Sequence, residues 1–515
     1  MTFLPFILQA LALYRLCLAR GPGRVADSVT AFLMLIDVAT AFISEGPRWP
    51  SAASWGMSLA LAVLLLARRR LRSSGSVRAL HVAVFACGTL VSFAAASLAG
   101  WLVPIELPAL TGQHAVGKMQ WVVRSPTRRD IHNPDPAAPR EFLVSVYYPA
   151  VPRADLEEAP YTSAAMAEEV AGSAGSRIAA FFLKGELRRL RSRSHLGAAL
   201  SAERARHPVV IFSPGLGWIA DMHSFYLEQL ASHGYVVFGV THPGHAPLVE
   251  FPDGRRARSV GWSALDAVPQ DEAQRLRNDE RASALLDDLN SRAQPWTAAA
   301  ARIREFKVLS SLGRAFPIPV RKDDLIELLD RLQVVDADPS FSPLAGHLDL
   351  DRVAVVGMSY GGPTAHDVCI EDARCKAVVN MDGEEFGRLP LETGHRPALW
   401  LYTSGGWEGP RASPLRRLSY ERYAGPAYRV GFDDANHGTF ADWPFYTAEV
   451  RWLTNPLVRL LDGEHIDRDV PPVVLEYLLD FLGHTLDGRE LRLLAEGTRR
   501  EGVHVGQRNT HSVRE

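Results

Sequence analysis

The chain is poor in cysteine, balanced in charge and free of internal repeats. Only four cysteines occur in 515 residues, and no metal cluster forms among them. Cys17 and Cys87 fall in apolar stretches, where a thiol behaves as a small packing group. The formal net charge is -2, so nothing favours nucleic acid or a globally basic, membrane-binding surface. The first apolar run also lacks a basic leader, and a cleaved signal peptide would explain that run alone.

What is present is concentrated in Val353-Ala-Val-Val-Gly-Met-Ser-Tyr-Gly-Gly362. An apolar, β-branched run delivers a serine into the pattern Gly357-x-Ser359-x-Gly361. At the end of a buried strand the chain must turn sharply into a helix, and glycine two residues either side of the serine permits that turn. Ser359 is thereby expected to stand exposed above a sheet, with the positive end of the next helix beneath it. The following residues, with Pro363 in a first turn, read as that helix.

A serine hydroxyl is a poor nucleophile until an imidazole takes its proton, and the imidazole needs a carboxylate to fix its tautomer. Downstream, Lys376-Ala-Val-Val-Asn-Met-Asp382-Gly383 is a second apolar strand ending in an acid. Arg429-Val-Gly-Phe-Asp-Asp-Ala-Asn-His437-Gly438 is a strand followed by a loop with a histidine. Asp433 and Asp434 compete with Asp382. The latter is favoured because acids at the carboxyl ends of neighbouring parallel strands share one crevice. His242-Pro-Gly-His245 lacks nearby cysteine or carboxylate ligands, so it is read as crevice rim rather than a zinc site.

Acyl transfer also needs donors aimed at the developing oxyanion. His207-Pro-Val-Val-Ile-Phe-Ser-Pro-Gly-Leu-Gly217 is a strand ending in a glycine-rich loop that can bring the Leu216 amide to the site. The Tyr360 amide, one residue past the serine, would be the second donor.

Five of these segments resemble one family: Phe212-Ser-Pro-Gly-Leu-Gly217, Ala231-Ser-His-Gly-Tyr-Val-Val237, Gly357-Met-Ser-Tyr-Gly-Gly362, Asn380-Met-Asp-Gly383 and Asn436-His-Gly-Thr-Phe440. With Val146-Tyr-Tyr-Pro149, they are similar to the plasma-type platelet-activating-factor acetylhydrolases and their bacterial relatives. Those enzymes lie near the dienelactone hydrolases in the α/β-hydrolase superfamily, and the likeness covers about residues 115–490. The resemblance implies Ser359 as nucleophile, Asp382 as orienting acid, His437 as base, Leu216 and Tyr360 as oxyanion donors, and no cofactor. It also implies removal of short or oxidised acyl chains from phospholipids. The animal enzymes usually carry histidine where this chain has Pro214 and Met358, and phenylalanine where it has Tyr360, so the walls beside the reacting carbonyl differ.

The amino-terminal 105 residues hold four apolar stretches, 3–18, 28–44, 52–67 and 79–103. The last is long enough for a hydrocarbon core about 30 Å thick, and the others are near the short limit. The expectation is an all-α bundle of four transmembrane helices. Arg20 and Arg24 in the first loop and Arg68, Arg69, Arg70, Arg72 and Arg78 in the third place those loops inside the cell. The hydrolase domain of a multi-pass membrane protein would then face outward. Asp37 lies within the second stretch and Arg15 within the first. Cys369 and Cys375 flank a turn between the helix after Ser359 and the strand bearing Asp382, and a disulfide there would tie that turn in an oxidising compartment.

The expected architecture is therefore an α/β-hydrolase fold with a mainly parallel sheet over 106–495, preceded by the bundle at 1–105. A helical insertion at about 254–320, containing Trp262 and Trp296, would form a lid or rim, and 496–515 would be a polar, frayed tail. Strands are expected at 142–148, 209–212, 236–240 and 398–402, and helices at 224–232, 322–332 and 473–482. The function expected is a membrane-anchored serine esterase acting on a lipid or other small ester. A general short-chain carboxylesterase or polyester hydrolase is the alternative, as is, from another class, a membrane sensor whose hydrolase-like domain only binds.

Overall fold

The computed structural model describes residues 106–508 except for 134, 154, 173–183, 260–271, 292–294, 311–316, 407–412, 447–466 and 496–498. Before residue 106 it describes 8–9, 11–12, 15, 24–45, 55–56, 58–63 and 65. The chain divides into two compact units, one made of 1–106, 162–190 and 448–457, the other of the remainder.

In the second unit the sequence alternates apolar strands with helices. The strands are β1 Ala115–Arg129, β2 Pro139–Ala150, β3 Glu158–Pro160, β4 Arg191–Leu196, β5 His207–Ser213, β6 Val236–Thr241, β7 Leu248–Glu250, β8 Arg256–Arg258, β9 Leu348–Met358, β10 Cys375–Met381, β11 Ala398–Thr403, β12 Ala427–Phe432 and β13 Val503–Arg508. Eleven of them form one sheet, ordered β13-β12-β11-β10-β9-β5-β6-β2-β1-β4-β3. From β6 to β12 every neighbouring pair is parallel. The pairs β1–β2, β2–β6, β3–β4 and β12–β13 are antiparallel. The sheet is thus mixed.

Parallel strands joined by crossovers are buried on both faces, which is why β5, β6 and the end of β9 read as unbroken apolar runs. Val209, Ile211, Val236, Phe238, Val353 and Val355 are all inaccessible to solvent and belong to one core with Leu325, Leu328, Leu329 and Leu332. Those leucines recur at helical spacing on Ile318–Ala337, a helix that starts four residues before its expected position. The order of strands puts β5, β9, β10 and β12 side by side or nearly so, and their carboxyl ends form one rim. Val503–Arg508, expected as frayed tail, is an edge strand on β12. Its two valines alternate with polar residues, a pattern too short to stand out in a polar segment.

The insertion contains Glu272–Ser291 and Trp296–Leu309, helices that share a small apolar core of Leu285, Leu289, Ile303 and Phe306 with Leu415. Trp262 lies outside the described residues.

The first unit requires a correction. Among the described residues no helix is long and apolar enough to cross a membrane, so the transmembrane bundle and the multi-pass membrane location expected from hydropathy are not supported. Arg24–Glu45 carries Asp27 in its first turn, and Asp27 pairs with Arg15 at 2.5 Å. Asp27 precedes the apolar stretch 28–44, so the pair joins the start of this helix to a charge within the first stretch. Leu8, Ala12, Ala31, Met34, Leu61, Ala62 and Leu65 pack together as a small core of this unit. The stretch 79–103 and the arginine-rich loop at 68–78 lie outside the described residues.

Candidate active site

Ser359 occupies the turn that its glycines permit. Its φ is 53°, a left-handed conformation that a non-glycine residue adopts only where its surroundings impose it. A Cβ at position 357 would overlap the Gly361 carbonyl, and one at 361 would overlap the Ser213 carbonyl. The Ser359 amide donates to Met381 O at 2.8 Å, and Gly361–Glu371 is the helix that begins beneath it.

The register of β9 on β10 pairs Met358 with Met381, so Ser359 and Asp382 leave their strands at the same level. Asp382 is also left-handed, at φ 52°, a region that aspartate tolerates better than most residues. Its amide donates to Leu401 O at 2.8 Å. His437 opens a short 3-10 turn, His437–Phe440, closed by a reciprocal pair of bonds between Asn436 and Thr439.

These elements bring the three side chains together. His437 Nε2 lies 3.0 Å from Ser359 Oγ and His437 Nδ1 lies 2.7 Å from Asp382 Oδ2. Asp382 is buried, whereas half of the His437 side chain is open to solvent. Of the competing acids, Asp433 instead accepts from His504 Nε2 at 2.8 Å, and Asp434 is exposed.

The loop after β5 passes against the serine, since a Cβ at Gly215 would sit 3.1 Å from Ser359 Cβ. In that loop the Gly217 amide is committed to His245 O at 2.9 Å and the Trp218 amide to Gly215 O at 3.3 Å. Leu216 immediately precedes those two donors and is half-buried. Tyr360 is the residue before the helix and is buried.

Behind this loop is a buried polar network that sequence reading missed. Ser213 Oγ lies 3.1 Å from His242 Nε2, and His242 Nδ1 lies 2.9 Å from Asp324 Oδ2. Arg140 grips Asp324 with bonds of 3.1 and 2.6 Å, and Arg128 approaches it at 2.9 Å. Burial would raise the Asp324 carboxyl, but Arg140 and the bond from His242 hold it below the usual carboxylate range. Burial pushes His242 down to about 3, so its ring is neutral. Its one N–H then goes to Asp324, and Nε2 accepts from the Ser213 hydroxyl. Arg321 Nη2 donates to Ser213 Oγ at 3.2 Å and also to Pro214 O. His242 and His245 are therefore structural, and His245 Nε2 is 3.0 Å from His132 Nε2. Among the described residues no group of three or more His, Cys, Asp or Glu is placed to hold a metal ion.

On the other flank, Arg416 Nη1 lies 3.4 Å from Asp382 Oδ1 and Nη2 lies 3.4 Å from Asp382 O. The inserted helices also reach this flank. Lys307 donates to Leu389 O at 2.6 Å and to Gly387 O, and rings run from Phe306 through Phe386 to Tyr360 at centroid spacings of 6.1 and 6.0 Å. Cys369 and Cys375 are joined as a disulfide between the helix and β10.

The strand order and the rim of polar side chains define an α/β-hydrolase-like fold. A solved structure titled as a ferulic acid esterase from Streptomyces cinnamoneus superposes with a TM-score of 0.55 over 78% of this chain and 99% of that one, at 23% identity. A family model described as platelet-activating factor acetylhydrolase, isoform II, matches residues 103–282. The acetylhydrolase of Canis lupus familiaris is 26% identical over 192 residues, 36% of each chain. That of Cavia porcellus is 27% identical over 306 residues, 57% of this chain and 61% of the relative. The matches thus span from about a third to about three-fifths of these relatives. The chain is similar in sequence to the platelet-activating factor acetylhydrolases and has an α/β-hydrolase-like fold.

Proposed function

We propose that the protein is a serine carboxylic-ester hydrolase in which Ser359 is the nucleophile, His437 the general base and Asp382 the acid that orients it. An ester carbonyl binds with its oxygen toward the amides of Leu216 and Tyr360. Ser359 Oγ attacks the carbonyl carbon while its proton passes to His437 Nε2. The bond to the alcohol then breaks, and His437 returns the proton to the leaving oxygen. Water enters, gives a proton to His437 and hydrolyses the acyl-enzyme, freeing the carboxylic acid and Ser359.

The observation that carries this reading is the continuous path from Ser359 Oγ through His437 to Asp382, with steps of 3.0 and 2.7 Å. Similarity to the acetylhydrolases supports a short or oxidised acyl chain on a phospholipid as the substrate. The test is a series of phospholipids and simple esters of increasing acyl length, with Ser359→Ala as control. Preference for short or oxidised sn-2 acyl chains, lost in Ser359→Ala, supports the reading. Equal turnover of all short esters would make it a general carboxylesterase, and activity retained by Ser359→Ala would end the proposal.

A further inference from the structure

We propose that Arg416 is a positioning residue that holds the Asp382 carboxylate toward His437 against the competing charge of Glu384. This inference rests on the roles given to Ser359, His437 and Asp382 above. The guanidinium grips Asp382 twice, at Oδ1 and at the main-chain carbonyl, each at 3.4 Å. One group thus constrains both the side chain and the left-handed backbone of the acid. Asp382 Oδ2 is left for His437 at 2.7 Å.

The position of Arg416 is itself fixed by the same loop. Ser413 caps the helix Pro414–Arg422, accepting from the Arg416 amide, and donates its hydroxyl to Glu384 Oε1 at 2.6 Å. Arg416 stands 3.7 Å from Glu384 Oε2 and lies over the Tyr402 ring at 4.5 Å. Its side chain is only 13% exposed, so water screens these charges little.

Several groups face the acid. His437 does so from its loop, Tyr402 from β11, Arg416 from its helix, and Glu384 and Glu385 from the segment that follows Asp382. Lys307 on the inserted helix acts on both glutamates. Glu385 Oε1 is taken up by Asn380 Nδ2 at 2.9 Å and Trp400 Nε1 at 2.8 Å. Glu384 is the carboxylate that shares a cation with Asp382. Removing that cation leaves two acids, one residue apart around Gly383, repelling each other beside the base. Asp382 is then free to turn from His437, so the effect is expected on kcat rather than on KM.

The test compares Arg416→Gln, Arg416→Lys and the pair Arg416→Gln with Glu384→Gln, using a soluble ester. A coupling between touching charges predicts that Arg416→Gln lowers kcat about 30-fold with KM within about twofold. Arg416→Lys should stay within about threefold of wild type, and the pair should recover about fivefold or more over Arg416→Gln. Wild-type kcat in Arg416→Gln, a loss confined to KM, or a lysine variant and pair as impaired as Arg416→Gln would overturn the inference. If Arg416→Gln does not fold, the lysine variant decides: kcat within about threefold sustains the role, and a larger loss overturns it. Covalent labelling of wild type by a fluorophosphonate separates the two levels. A labelled wild type with an unimpaired Arg416→Gln sinks this inference alone, whereas a folded wild type that resists labelling sinks the serine-hydrolase reading and this inference with it.

Discussion

Asp324→Ala removes the anion on which the support of the loop after β5 converges. The carboxylate receives two bonds from Arg140, at 3.1 and 2.6 Å, one contact from Arg128 at 2.9 Å and one bond from His242 at 2.9 Å. Arg140 is 1% exposed and cannot turn to water. Asp130 at 3.3 Å and Pro243 O at 2.9 Å still hold its Nη1, but Nε and Nη2 are orphaned. Breaking one side of such a buried pair costs about 3–5 kcal/mol, and the His242 N–H left without an acceptor adds about 1 kcal/mol. The carboxyl is held below its ordinary value, so its contribution is complete above a pH of about 4 and disappears only as pH falls through the depressed folded value. Urea unfolding at pH 7 therefore reads the whole effect. A loss of about 4–6 kcal/mol is expected, and kcat should fall because the His242 ring, which accepts from Ser213 at the start of the loop, loses the carboxylate that holds it. A loss below about 1 kcal/mol would refute the argument, since it would mean that the cluster behaves as a solvent-exposed ion pair.

His437→Ala should lower kcat by several orders of magnitude yet leave thermal unfolding nearly unchanged, because the ring is half exposed; steady-state kinetics beside a melting curve check both halves. Gly361→Ala places a methyl against the Ser213 carbonyl and should cost about 1–3 kcal/mol together with much of the activity, read by urea unfolding and kcat. Burial pushes His223, His242 and His366 down to about 3. A base whose folded value is depressed stabilises the fold above its unfolded value near 6.5 and loses that contribution on acidification. Lowering the pH from 7.5 to 5.5 should therefore cost on the order of 1 kcal/mol per histidine, and replacing His366 with phenylalanine should flatten the dependence in urea titrations.

The neighbourhood of Ser359, Asp382 and His437 was legible because local rules set it. The glycines at 357 and 361 answer to clashes within the same turn, and Asp382 ends a strand whose pairing with β9 follows from its apolar run. The supporting charges left no such trace. Arg416 and Asp324 sit on helices whose apolar spacing does not point to a buried charge, and Arg140 lies in a strand far from both in sequence, so only tertiary contact gives them meaning. Proximity in sequence misleads for Asp433, which is near His437 along the chain yet bound to His504. Hydropathy misled in the first unit because short apolar runs also suit a small packed core, such as that of Leu8, Ala31, Met34 and Leu61. The antiparallel strands at both edges of the sheet, including β13, are short or strongly polar, and their pairing was not readable from period alone.

Labelling with a fluorophosphonate, followed by peptide mapping, tests the central claim most directly. The account predicts stoichiometric modification at Ser359 in the folded wild-type protein, slowed by orders of magnitude in His437→Ala. A folded protein that takes no label at Ser359, or that is labelled equally fast without the histidine, would contradict it.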